Sequence, residues 1–295
     1  MTSPMPLLLG CDFSSRPTRR KPIVLALGSL SHGRVVLSKT ERLESLDAFG
    51  QWLRQPLDWV GGFDLPFGLP RELVETLGWP TDWRACLRHY ASLSRAQIRA
   101  AFAAFCDARP AGGKFAHRAT DRPAGSSPSM KWVNPPVAWM LHAGVPLLLA
   151  AGAQLPGLHE GDPAQRDAAG RPRKVALEAY PGLLAREVLD DIDRRAGRPA
   201  RRSYKSDDKA RQTPERLIAR KDIITALEHG QTRLALRLKL SHAQRDLLTD
   251  DASGDQLDAV LCLLQAAWAQ QQHAAGHPRY GLPGCDPLEG WIVTA

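Results

Sequence analysis

Cysteine is sparse in this 295-residue sequence, aromatics make up only 6% of it, and no long apolar run occurs. The five cysteines, Cys11, Cys86, Cys106, Cys262 and Cys285, are odd in number and include no CxxC pair. That argues against a disulfide framework or a zinc knuckle and fits a reducing cytosol. No stretch approaches the roughly 20 apolar residues that cross a bilayer. The longest candidate, Ala138 to Ala153, contains His142, Gly144 and Pro146 and reads as buried core. Leu8-Leu9-Gly10-Cys11 superficially resembles a lipoprotein cleavage site, but no basic residue precedes it and its apolar run is too short. The expectation is a soluble, cytoplasmic protein with no membrane partner.

What is present is positive charge on an ordinary globular background. Hydrophobic residues make up 43% of the chain, the formal net charge is +8 and the sequence pI is about 9.5. The excess is concentrated in two places. Between Arg84 and Lys131 nine Lys/Arg face two Asp, and between Arg194 and Lys209 seven basic residues face Asp207 and Asp208. A basic surface favours polyanions such as nucleic acid without proving them.

Turn signals and apolar periodicity lay out the elements. Leu7 to Phe13, Pro22 to Leu30 and Gly33 to Leu37 read as a β-meander, with turns at Ser14-Ser15-Arg16-Pro17 and Ser31-His32. Leu46 to Leu53 has helical spacing with Ser45 as N-cap, and Trp59 to Leu65 is a buried strand ended by Pro66. Leu69 to Arg173 is helical, with a helix over Arg88 to Phe105 and an irregular middle, Ala111 to Pro136, rich in Gly, Pro and Ser. Lys174 to Tyr180 is a fifth strand. Helices follow at Leu183 to Arg194, Pro214 to Glu228 and Ser253 to Ala269, and Leu288 to Val293 is a candidate edge strand. The predicted fold is α/β: a ribonuclease H-like mixed sheet flanked by helices. It forms one domain over 1–295, with residues 70–173 as a helical and irregular insertion.

Acids stand where packing alone would not put them. Asp12 interrupts Leu9-Gly10-Cys11-Asp12-Phe13, Asp64 interrupts Val60-Gly61-Gly62-Phe63-Asp64-Leu65, and Glu178 interrupts Val175-Ala176-Leu177-Glu178-Ala179. Asp255 and Asp258 head an apolar helix at i, i+3 spacing, which puts them on one face near the positive end of the helix dipole. Taken singly, each also fits a turn former or a helix cap. Together they fit a cation site, because buried carboxylates must be paired, protonated or bound to a cation, and neighbouring ones repel. Magnesium or manganese suits oxygen ligands, and two ions about 4 Å apart clamp the attacking and leaving oxygens of a phosphodiester. The expected chemistry is in-line attack by an activated water without a covalent intermediate.

At these residues the sequence resembles the DUF429 family of predicted nucleases with ribonuclease H-like fold. The resemblance is carried by Gly10-Cys11-Asp12-Phe13-Ser14-Ser15, Gly62-Phe63-Asp64-Leu65-Pro66-Phe67-Gly68-Leu69-Pro70, Glu178-Ala179-Tyr180-Pro181-Gly182 and Asp255-Gln256-Leu257-Asp258-Ala259, in family order over most of the chain. The DxxDA helix is also similar to that of bacterial Holliday-junction resolvases. The resemblance implies that Asp12, Asp64, Asp255 and Asp258 bind metal, with Glu178 a fifth ligand.

Further candidates are secondary. Lys205, after Tyr204, could touch a phosphate or the charge developing in the transition state. The arginine-rich run Arg194 to Arg202 reads as a backbone-tracking segment or an exposed helix end. His117 and Asp121 have metal-capable spacing that is usually incidental. Trp52, Trp59, Trp79, Trp83, Trp132 and Trp139 are expected mainly in the core. The leading expectation is a magnesium- or manganese-dependent nuclease acting on DNA or RNA. One alternative is an ATP-dependent phosphotransferase of the actin-like or sugar-kinase type, disfavoured because the turn after the first strand lacks the glycines that cradle phosphates. The other is a non-catalytic nucleic-acid-binding module.

Overall fold

A computed structural model describes residues 6–197 and 202–295. Its first three strands, β1 (Leu7–Asp12), β2 (Ile23–Ser31) and β3 (Arg34–Leu43), form the antiparallel meander expected from the turn signals. His32 and Gly33 both have positive φ, 48° and 72°, so the β2–β3 connection is a two-residue hairpin of the kind whose twist matches that of its strands. Helix α1 (Leu46–Leu53) follows, and the Ser45 hydroxyl accepts a 3.0 Å hydrogen bond from the Ala48 N–H, as its capping position predicts. Strand β4 (Trp59–Asp64) returns parallel to β1, and β5 (Lys174–Glu178) lies parallel to β4.

Between β4 and β5 the chain builds α2 (Arg71–Thr76), α3 (Trp83–Ser92), α4 (Arg95–Asp107), α5 (Asp121–Ala124) and α6 (Val137–Ala150). One long helix was expected over Arg88 to Phe105; there are two. Leu93 leaves the helical conformation and Ser94 starts a new helix through a capping box with Gln97, a signal that overrides the continuous apolar spacing. After β5 come α7 (Pro181–Arg195), α8 (Pro214–His229), the short strand β6 (Arg237–Lys239), α9 (His242–Asp250) and α10 (Asp255–Ala274).

The result is a mixed six-stranded sheet in the order β5-β4-β1-β2-β3-β6, flanked by helices. The expected edge strand at Leu288 to Val293 does not form. That segment makes a single ladder-like contact, from the Val293 N–H to the Glu178 carbonyl at 2.8 Å. The extra edge is β6 instead, at the opposite side against β3, and three residues are too few for a period-2 signal.

Strand alternation divides the interior in two. Leu9, Cys11, Ile23, Leu25 and Phe63 point to the side covered by α1 and the helices between β4 and β5. Leu8, Val24, Ala26, Val60, Val175 and Leu177 point to the side covered by α7, α8 and α10. All five cysteines are free, and all but Cys285 are buried. Among the described residues no helix is long and apolar enough to cross a membrane.

Candidate functional site

Parallel pairing of β1 with β4 sets Asp12 opposite Asp64, and Gly10 opposite Gly62 two residues earlier on the same face. This is the face on which α10 lies. A Cβ at Gly10 would stand 2.0 Å from the Ala259 carbonyl oxygen, and one at Gly62 would stand 2.5 Å from that of Cys262. The two glycines therefore let the α10 backbone rest directly on β1 and β4. That contact brings the first turn of α10, with Asp255 4% and Asp258 0% exposed, over the two strand-borne aspartates.

The electrostatic consequence is strong mutual repulsion. Burial pushes the Asp12 carboxyl well above its usual range, and Asp258, Asp255 and Asp64 push it further. Burial, then Asp258, raises Asp64 to about 7. Asp255 is also raised, by burial first. Among the described residues neither Asp12 nor Asp64 has a hydrogen-bond or ion-pair partner on its side chain. Burial also raises the neighbouring Cys11 and Cys262 thiols, so neither is a ready nucleophile.

Two lysines partly neutralise the cluster. Lys205 Nζ is bound to Asp258 Oδ2, and the buried Tyr204 hydroxyl donates to Asp258 Oδ1. Lys21 Nζ bridges Asp255 Oδ1 at 2.7 Å and the exposed Asp207 Oδ1 at 2.9 Å. Burial is the largest single influence and opposes both ammonium charges, but Asp255, Asp207 and Asp12 together outweigh it for Lys21, and Asp258, Tyr204 and Asp12 together for Lys205, so both are held in the charged form. Helix α8 holds the Tyr204–Lys205 backbone in place. Arg220 Nη1 donates to the Tyr204 carbonyl at 2.8 Å, and Arg216 Nη1 donates to that of Lys205.

Glu178 lines the same cleft as Asp12 and Asp64 and adds to the repulsion that raises Asp64, but it is already paired with a cation. Its register partner is Phe63. Arg118 reaches it through both terminal nitrogens, at 2.6 and 2.8 Å, while Arg118 also binds Asp121; the Phe67 N–H donates to Glu178 Oε2 at 2.9 Å. Arg118, Asp121 and Glu178 are each at most 4% exposed. Glu178 thus ties the β4–β5 segment to the end of β5; both its oxygens are engaged by protein donors, as are both oxygens of Asp258. His117 is exposed while Asp121 is buried against Arg118, so these two do not form a metal pair. Of the arginine-rich run, Arg198 and Arg201 lie outside the described residues; Arg202 pairs with Asp193 and Asp222. Trp52, Trp59, Trp83 and Trp139 are buried, as expected.

Sequence reasoning missed Lys21, Tyr204 and Arg118. Lys21 closes the basic turn Arg16-Pro17-Thr18-Arg19-Arg20-Lys21 directly after Asp12, a charge signal available in the sequence. Tyr204 and Arg118 carried no such mark, because Asp258 and Glu178, the acids they meet, are 54 and 60 residues away in the chain.

A cleft of 470 Å³ opens at Asp12 and Asp64, lined also by Lys21, Lys205, Glu178, Arg118 and residues 126–140 of the β4–β5 segment. A second cleft of 250 Å³ meets it at Asp64 and Lys205. Among the described residues no group of three or more His, Cys, Asp or Glu stands at metal-ligating spacing. The donor chemistry nonetheless fits a hard divalent ion: oxygen-only ligands, two of them without a hydrogen-bond or ion-pair partner, and repulsion that a cation would relieve. Searches among protein families, curated proteins and solved structures find no match to the chain.

Proposed function

We propose that the chain is a divalent-metal-dependent nuclease with a ribonuclease H-like core, cutting a phosphodiester in the cleft over Asp12, Asp64 and Asp258. One observation carries the reading: two unpartnered aspartates in register on adjacent parallel strands, facing an aspartate pair at the head of a helix. A merely structural role would leave this repulsion only partly offset, by Lys205 at Asp12 and by Lys205 and Lys21 at Asp64. The meander, the helix and the parallel strands added beside β1 support the ribonuclease H-like reading, as does the ordered motif resemblance.

Asp12, Asp64 and Asp258 would hold magnesium or manganese, with Asp255 beside them steadied by Lys21. Bound there, such an ion neutralises phosphate charge and makes water a better nucleophile near neutral pH. Lys205 is 41% exposed on its side chain and already in the cleft, so it can exchange Asp258 for a phosphate oxygen of the substrate. Tyr204, buried beside it, keeps one Asp258 oxygen oriented while the other is released. Glu178 acts as a positioning residue, holding Arg118 and through it the insertion.

The test is cleavage of single-stranded, duplex, hybrid and branched substrates with and without magnesium or manganese. Asp12→Asn is expected to lower metal-dependent cleavage by about 100-fold or more. Its circular dichroism should match wild type, because the lost charge is one the fold does not need. Wild-type cleavage rates in the variant would refute the site.

A further inference from the structure

We propose that the main cleft takes an unpaired nucleotide, so that the substrate is single-stranded nucleic acid rather than continuous duplex. This rests on the nuclease reading and sharpens it. The charged groups Asp12, Asp64, Lys21 and Lys205 account for only part of the lining of the 470 Å³ cleft. Most of the rest is apolar: Pro135, Pro136, Val137 and Met140 come from the β4–β5 segment, which also brings Arg118, Ser126 and Ser127, and Phe13 and Leu65 stand next to the two aspartates. A phosphate backbone asks for charge and hydrogen-bond donors, not for such a wall. The flat face of a base does suit it, and a base presents that face only when out of the stack. The cleft volume lies within the ~300–1,000 Å³ of pockets that enclose small molecules, the scale of an extruded nucleotide rather than a duplex segment.

The wall is held firmly. Arg118 ties the insertion to Glu178 at the end of β5, and the Ala119 N–H donates to Glu289 Oε2 at 2.8 Å. The Ile292 N–H donates to Thr120 Oγ1 at 3.0 Å, and the Ser126 hydroxyl reaches Asp121 at 3.1 Å. Val137 and Met140 project from the first turn of α6, whose neighbours Ala138 and Trp139 are buried in the core. Pro135 and Pro136 stay exposed at the mouth. A base seated against these apolar residues would keep its phosphates in the same cleft as Lys21 and Lys205. One cleft thus offers both the charge and the apolar surface that the two halves of a nucleotide require.

The experiment measures binding of a labelled single-stranded oligonucleotide and of the blunt duplex of the same sequence to the full chain in EDTA, alongside cleavage of both in magnesium. The single strand should bind more tightly by roughly tenfold. The double variant Val137→Ala with Met140→Ala should lose most of that preference with little change in duplex affinity, while Met140→Leu keeps it. Equal affinity for the duplex, or a preference that survives the double variant, overturns the proposal. Cleavage of duplex as fast as single strand also overturns it, yet leaves the nuclease reading standing. Binding of neither form, with no cleavage, removes both.

Discussion

At the scale of single residues, the site is defined by charges that dislike their positions. Burial and Asp258 raise Asp64 to about 7, well above the ~3.9 of an unfolded aspartate. A carboxyl weakened in this way favours the folded state while it is protonated. Its contribution is whole below pH ~3.9 and is lost as pH rises through 7. In EDTA, Asp64→Asn should therefore melt close to wild type at pH 4 and above it at pH 8. A gain of about 1 kcal/mol corresponds to roughly 2–4 °C in a chain of this size. Magnesium or manganese should narrow the gap at pH 8 by stabilising wild type only. A thermal melt that places Asp64→Asn below wild type at pH 8 without metal would contradict the electrostatic account. Asp12 and Asp64 stood out in the sequence because each interrupts an apolar strand, and Asp255 and Asp258 because they head an apolar helix at i, i+3 spacing. Glu178 stood out for the same reason as Asp12 and Asp64, yet it belongs to a buried ion pair whose other member, Arg118, lies 60 residues away in the chain. Periodicity marks an acid as unusual; it does not identify the partner.

At the scale of elements, the decisive contact is α10 against β1 and β4. It depends on Gly10 and Gly62, whose role shows only once α10 is seen to lie on them. Gly10→Ala puts a methyl group into the Ala259 carbonyl, which is backbone and has no flexible end to move aside. Overpacking of this kind costs typically 1–3 kcal/mol, and α10 would have to lift from the sheet. The expected outcome is a lower urea midpoint together with weakened metal binding, since Asp258 moves away from Asp12. Full stability and unchanged metal affinity in Gly10→Ala would show that the close approach is not required. The meander, α1, β4, β5, α7, α8 and α10 were legible because each combines a strong period with a turn or cap signal. The split between α3 and α4 was hidden because both halves keep helical apolar spacing across Leu93-Ser94. Strand β6 was too short to show a period, and Leu288 to Val293 is apolar because it is buried, without being a strand.

At the scale of the whole molecule, the insertion is joined to the sheet through Arg118, Asp121 and Glu178, all nearly free of solvent. Removing one partner of a buried ion pair leaves an uncompensated charge and costs about 3–5 kcal/mol. Arg118→Met should therefore lower the unfolding midpoint sharply, and adding Glu178→Gln to it should recover part of the loss. Chemical denaturation of the two variants decides the matter; equal destabilisation of single and double variants would mean the pair contributes packing rather than charge balance. By itself, the sequence determined the α/β class, most of the element order, the basic bias and the short set of acids that local packing could not explain. Those properties follow from period, turn chemistry and composition, which are local along the chain. Tertiary structure alone decided which acids meet, on which face of the sheet, and which cations sit beside them. Register between distant strands and the approach of a helix across two glycines are set by contacts among residues far apart in sequence, and no local pattern encodes them.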